Sequence, residues 1–565
     1  MMLTRTSRSL VALVMLSASA GWANAQPDEQ PLDLTCPTTE GAGSPLTMGR
    51  RLIGTQCGNC HSRGAIASDW ILSNEFQVWE DNDRHSKAYL TLLGSRAQAM
   101  GDLLRVEEIA SDARCLACHA TLPAEWMTGD SSPVASILAS EAAHDLVAGG
   151  ITCEGCHGAA GDADGVTGWQ THAFDREWRN RSPEEKQSKF GYYNVRSPAS
   201  RTRMCASCHV GDPERGRLVT HEMYAAGHPP LPSFEVETFL RDMPPHWRRI
   251  STSGKNPRDY VEPKSNEASR RFLDRTQEAY YAQLRGQNPQ LFDQLKQDTS
   301  TSFERARSIA IGAIATWTQN ARVTAALASE ASYPLIPTEH RWPELAAFEC
   351  AACHHDLKLS GWRALREPPS TPGRPMLRNW SSPLTKAVLL ALEEEQAVAA
   401  INAAESFMQA ATSEQPYGNQ QAIAVRLSQA ASLADELAST IENRVFSERD
   451  AKRLLARIAQ VGEQALMDYE SARQLVWAAD SVLRELDPKG TWNDSAAALA
   501  NAKLQLTTDL AVPMKSAERL QPQGGAVRQV KLVDLPAVLK PSAEYDAGAM
   551  QRCFSRLLDA LKKEL

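Results

Sequence analysis

Five times along this chain, two cysteines separated by two residues are followed at once by a histidine: Cys57-Gly-Asn-Cys60-His61, Cys115-Leu-Ala-Cys118-His119, Cys153-Glu-Gly-Cys156-His157, Cys205-Ala-Ser-Cys208-His209 and Cys350-Ala-Ala-Cys353-His354. That spacing is the signature of covalent c-type haem attachment. On one helical turn, residues three and four apart share a face, so both thiols can bond the vinyl groups of one porphyrin while the adjacent imidazole meets its iron. With 12 cysteines and 13 histidines in 565 residues, chance would produce about 0.006 such motifs. Zinc knuckles or disulfides would also use the cysteine pairs, but they do not require a histidine behind every one. The chain is therefore expected to fold around five covalent haem c groups, with His61, His119, His157, His209 and His354 as proximal iron ligands.

Composition narrows the setting. The chain is 42% hydrophobic and 23% charged, ordinary for a soluble protein, with few aromatics, so porphyrins are expected to supply part of the apolar core. A formal charge of −8 without a basic stripe argues against nucleic acid and leaves redox proteins as the expected partners. Residues 1–25 read as a secretory signal: Arg5 and Arg8 precede the apolar run Leu10 to Leu16, and Ala23-Asn-Ala25 offers a cleavage site. No later run is apolar and long enough to span a membrane. A periplasmic location is expected, and it suits haem attachment. Two cysteines stand outside the motifs, Cys36 and Cys553, either bridged or free in such a compartment.

The fold class expected is mainly α: a multihaem cytochrome c domain over residues 26–367 with little regular sheet, then a Pro-rich linker over 368–382, then a haem-free helical domain over 383–565. The linker rests on Glu367-Pro-Pro-Ser-Thr-Pro-Gly-Arg-Pro375, since proline removes backbone donors and disfavours helix. A segment without cysteine or histidine, about 266–332, reads as helical. Beyond the linker, Ser382-Pro383 is a helix start. Ile423, Leu427, Ala430, Ala434, Leu437 and Ile441 form an apolar stripe, continued in the next helix by Leu454, Ile458, Val461 and Ala465. Ser447 to Asp450 reads as a helix cap. The stripes suit an intramolecular core, with docking of a partner as the sharper possibility.

Eight further histidines can supply second axial ligands: His85, His144, His172, His221, His228, His246, His340 and His355. Eight for five irons leaves bystanders, and His355, next to a proximal ligand, points elsewhere around its helix.

The order of the first four motifs, Trp79 through His85 after the first, Cys-Glu-Gly-Cys-His-Gly as the third, and His172 and His221 beyond the third and fourth resemble the cytochrome c-554 group of multihaem cytochromes, related in haem arrangement to hydroxylamine oxidoreductase. The resemblance covers roughly residues 50–250. It implies that His172 serves the first haem, His221 the third and His85 the fourth. The chain departs from that tetrahaem pattern by its fifth motif and by His144, which stands where the relative leaves its second haem open. His144 is accordingly expected to close the second haem, with His228 and His246 as candidates for the fifth and His340 behind them.

Bis-histidine ligation saturates iron and leaves electron transfer as the function expected first. The alternative is a reductase or oxidase of a small nitrogen or sulfur compound at a five-coordinate haem. No attachment motif ends in lysine, which would have pointed to ammonia-forming nitrite reduction, and the haem array is shorter than that of hydroxylamine oxidoreductase.

Overall fold

The computed structural model describes residues 52–62, 75–123, 146–161, 168–169, 178, 181–244, 246, 303–333, 335–336, 342–354, 373–506, 513–520 and 527–564. They belong to one compact unit, Gly43–Leu565. The expected leader, Cys36, residues 266–302 of the 266–332 segment and residues 367–372 of the proline-rich stretch lie outside the described residues. The protein is mainly α. Helices of ten or more residues are α1 Ser95–Leu104, α2 Pro198–His209, α3 Glu304–Leu327, α4 Ser382–Ala391, α5 Glu395–Glu414, α6 Gln420–Ile441, α7 Glu448–Gln464, α8 Tyr469–Leu486, α9 Asn493–Leu504 and α10 Ala547–Glu564. Among the described residues no helix is long and apolar enough to cross a membrane.

The organising helix is α3. Its 24 residues are rich in alanine and isoleucine and buried nearly all round, from Ala306 to Leu327. A helix apolar on every side must be enclosed on every side. Here α2 and the short helix Val236–Asp242 lie against α3, and so do α4, α6 and α8. Gly312 permits the closest approach: a Cβ there would sit 2.6 Å from Cγ1 of Val236. The amino end of α3 is held by Glu485 of α8, whose carboxylate accepts from the Arg305 and Ala306 amides at 2.9 and 2.8 Å. A negative charge there satisfies otherwise orphaned donors.

Around α3 runs one apolar core, from Ala199 through Trp317, Leu389, Ile423, Leu455 and Trp-flanking Val476 to Phe554 and Leu561. It therefore joins residues from both sides of the expected linker. The described end of that stretch is tied back to the segment ahead of the fifth motif: the Glu349 amide donates to the Met376 carbonyl at 2.9 Å, and Arg378 to Ala347 at 2.8 Å.

The two stripes are present with changed membership. In α6 the buried positions are Ile423, Leu427, Ala431, Ala434, Ala438 and Ile441, whereas Ala430 and Leu437 are only partly buried. A straight helix turns in 3.6 residues, so over five turns a strict alternation of fours and threes drifts off the core. In α7, Leu454 and Ile458 are buried with Ala451, Leu455, Ala459 and Gly462, but Ala465 is exposed and ends the helix. The Phe554 ring occupies the space at Gly462, where a Cβ would stand 2.3 Å from it. Ser447 and Asp450 cap α7 reciprocally, as the sequence predicts. The small sheet is an antiparallel pair, β1 Met514–Leu520 with β2 Arg528–Val533, in register at Glu518 and Val530. Glu518 accepts from the Ser95 amide at 3.0 Å, which docks the hairpin on the start of α1.

Candidate functional site

Each attachment motif occupies a short helix or a helix end. Ala113–His119 is capped by Asp112, which accepts from the Arg114 amide at 2.9 Å, and α2 is capped by Ser197 with Pro198 at its first position before it ends in Cys205 to His209. The third motif, Cys153–His157, contains a fully buried acid, Glu154. Its carboxylate accepts from the Ile53 amide at 3.0 Å, Gly54 at 2.8 Å and Ala160 at 2.8 Å. Burial raises its pKa, and these three donors oppose the rise. The acid of Cys-Glu-Gly-Cys-His is thus a tie to the chain just ahead of Cys57. Gly155 follows because a Cβ there would meet Ile151 Cγ2 and Thr121 Oγ1, both at 2.8 Å.

The imidazoles come together in pairs. His85 and His209 have ring centres 6.2 Å apart, His157 and His246 6.3 Å, His221 and His354 6.3 Å, and His119 and His228 6.5 Å. Every pair joins one attachment-motif histidine to one remote histidine. Two imidazoles on opposite sides of one iron, with nitrogens about 2.0 Å from the metal and ring centres about 1.1 Å behind them, would have centres about 6.2 Å apart. The residues present therefore fit a haem at each pair. The far nitrogens are engaged as ligand imidazoles require. His119 Nδ1 donates to the Ala88 carbonyl at 2.9 Å, His228 Nδ1 to Pro229 at 2.7 Å, and His85 Nδ1 to Asp83 at 2.9 Å. His61 Nδ1 contacts the Glu75 carboxylate at 3.1 Å.

Burial keeps most of these rings neutral, the form that binds metal. It pushes His157 down to about 4, His209 to about 3 and His228 to about 4, and it lowers His119 and His246 as well. His85 and His61 are the exceptions: burial opposes the charge of His85, but the Asp83 carboxylate outweighs that and raises it, and the Glu75 carboxylate raises His61 against its burial.

Three placements differ from the sequence expectation. His221, implied by the resemblance for the third haem, lies beside His354 of the fifth motif. The place beside His157 is taken by His246, and the place beside His119 by His228; both of these were candidates for the fifth haem. The cause is the path of one segment. Thr220 caps a short helix, His221–Ala225, and the Glu344 carboxylate accepts the His221 amide at 2.8 Å, setting that ring at the fifth motif. Gly227, at φ +112, then reverses the chain and turns His228 toward the second motif. His85 is beside His209, as the resemblance implies. His144, His172, His340 and His355 lie outside the described residues.

Aromatic rings complete the surroundings, and none of them was singled out as a site residue from sequence. Phe234 stacks at 5.9 Å on His209, Tyr192 stacks at 6.1 Å on His157, and Trp169 donates its indole N–H to Gly158 at 3.0 Å. Asp83 carried a local signal, its Asp-x-His spacing. Glu154 and Glu344 carried none, because their partners are about 100 residues away. The sulfurs also pair across motifs: Cys57 lies within hydrogen-bonding reach of Cys153, and Cys118 of Cys208.

A helical scaffold that presents histidine pairs beside Cys-x-x-Cys-His turns is the arrangement of a c-type cytochrome. Residues 56–158, which contain the first three motifs, match the family described as cytochrome c554 and c-prime. The match supports a c-type cytochrome of the c-554 group, and that family suggests a role in electron transfer through haem iron. Neither the curated proteins nor the solved structures gave a match to the chain.

Proposed function

We propose that this is a periplasmic cytochrome with five haem c groups that passes electrons through closely packed, bis-histidine irons. Haem supplies one-electron exchange between ferric and ferrous iron. The chain holds it through Cys57 and Cys60, Cys115 and Cys118, Cys153 and Cys156, Cys205 and Cys208, and Cys350 and Cys353. The residues that would hold the irons in pairs are His119 with His228, His157 with His246, His209 with His85, and His354 with His221, and for His61 the resemblance implies His172. Residues 26–367 carry the haems, and residues 383–565 form a haem-free helical region that buttresses them, with α3 lying in its core. The leader over residues 1–25 directs export, and redox proteins of the periplasm are the partners.

The observation that carries this reading is the set of four imidazole separations, each matching the span across an iron and each pairing a motif histidine with a remote one. Sulfur neighbours support an order within the array. The interactions of Cys57 with Cys153 and of Cys118 with Cys208 support the first haem lying near the third and the second near the fourth, and those of Cys156 with Cys205 and Cys208 support the third near the fourth. His221 and His228, seven residues apart, support the fifth lying near the second.

Low-temperature EPR of the oxidised, fully matured protein tests the ligation. Low-spin signals only, five irons per chain and no rapid carbon monoxide binding are expected. His228→Ala should create one high-spin, carbon-monoxide-binding haem. A high-spin haem already present in the unmodified protein would overturn full bis-histidine ligation and favour a substrate-binding oxidoreductase.

A further inference from the structure

Between the second and fourth motifs lies a cation that ligation does not use. The Nε of Arg217 donates to the carbonyl of Ala117, inside Cys115-Leu-Ala-Cys118-His119, at 2.9 Å. Its Nη1 donates to the hydroxyl of Ser207, inside Cys205-Ala-Ser-Cys208-His209, at 2.6 Å, and Ser207 donates onward to the Met204 carbonyl at 2.7 Å. One planar guanidinium thus spans two attachment loops, a geometry a lysine point charge cannot copy.

The backbone that delivers it is fixed. Asp212 and Arg217 exchange both of their backbone hydrogen bonds in an isolated antiparallel bridge. Gly216 turns the loop at φ +64, where a Cβ would also stand 2.6 Å from Cδ1 of Leu335. The nearby acid Asp212 favours the charge through space but makes its ion pair with Arg215, and among the described residues no carboxylate forms an ion pair with Arg217. Its other ionisable neighbours are the sulfurs of Cys208, Cys118 and Cys156, all three of which become neutral thioethers once haem is attached.

We propose that Arg217 tunes the second and fourth haems, holding their attachment loops at a fixed spacing and raising their reduction potentials. The inference rests on haem occupying those two motifs. Reduction removes one positive charge from each iron centre, so a fixed cation nearby, poorly screened inside the protein, favours the ferrous form. A unit charge about 10 Å from iron at an effective dielectric of about 20 shifts the reduced-to-oxidised ratio on the order of tenfold. For a one-electron couple, tenfold is about 59 mV.

The test is a spectroelectrochemical titration of the holoprotein carrying Arg217→Gln or Arg217→Lys, with haem count by intact mass and spin state by EPR. Arg217→Gln is expected to keep five low-spin haems while two of the five transitions move to lower potential by about tenfold in ratio, leaving the others in place. Arg217→Lys, which keeps the charge, is expected to stay near the unmodified potentials. Five intact haems with unchanged potentials in the Gln variant would overturn the proposal, as would a Lys variant whose potentials fall as far as those of Gln. If the Gln variant fails to mature, Arg217→Met, which also removes the charge, takes its place: two lowered transitions support the proposal, and unchanged potentials overturn it. Absence of haem at the second or fourth motif in the unmodified protein would instead defeat the five-haem reading.

Discussion

The region of the first four motifs and the region after the fifth are built on opposite principles. In the first, helices are short, several are single 3₁₀ turns, and the apolar clusters are small, such as Tyr89, Leu92, Leu116 and Val147. In the second, α4 to α10 bury long stripes against one another and against α3 in one core. Order in the second comes from side-chain burial along amphipathic helices. In the first, the chain is held by long-range polar ties such as Glu154 to Ile53 and Trp79 to the Ile151 carbonyl, and by the histidine pairs. A helix of four or five residues has little stability in water by itself, so the first region is expected to depend on bound haem where the helical region depends on its sequence.

The strongest way to break this contrast is to produce the chain without haem attachment. Limited proteolysis should then degrade the 52–246 region while α4 to α10 persist, with a large helical signal kept in circular dichroism. Equal loss of both regions would end the distinction. Next in size is Phe554→Ala in α10, expected to lower stability by about 3–5 kcal/mol, read by chemical denaturation, because Gly462 leaves a space shaped to that ring.

A third probe is pH. Burial raises the Glu485 carboxyl to about 7, against the backbone donors of Arg305 and Ala306. Its folded value lies above its unfolded one, so the folded protein holds the proton more tightly. Below about pH 4.5 the group is protonated in both states and nothing is lost; as pH rises to 7 stability falls, and above 7 the loss is complete, on the order of 3 kcal/mol. Glu485→Gln should flatten this part of the profile, gaining on the unmodified protein between pH 5 and 8 in denaturation midpoints. A parallel offset at all pH values would show that the carboxylate stays charged. The smallest effect is Ser447→Ala, expected to cost about 1 kcal/mol through loss of the cap on α7, measured in the same way.

What could be read in advance follows the same divide. The attachment motifs were legible because covalent chemistry requires its three residues within one turn. The Ser447 cap and the stripe of α6 were legible for a similar reason, since both are set within a helix, though the stripe moved to Ala431 and Ala438. Distal ligands are set by the path of the chain: whether His221 reaches the third or the fifth motif depends on Glu344, more than 100 residues downstream, and on the turn at Gly227. The hairpin was not legible either. Met514-Lys-Ser-Ala-Glu-Arg-Leu520 is composed of good helix formers without apolar alternation, and strand pairing overrides that preference.

Glu154 has a consequence for biosynthesis. A chain synthesised amino end first presents Ile53 and Gly54 about a hundred residues before the carboxylate that accepts their amides. The segment ahead of Cys57 therefore waits, undocked, while the second motif emerges. Docking of the earliest motif is then gated by arrival of the third, and nascent chains cut short of Glu154 leave the segment ahead of Cys57 without that anchor.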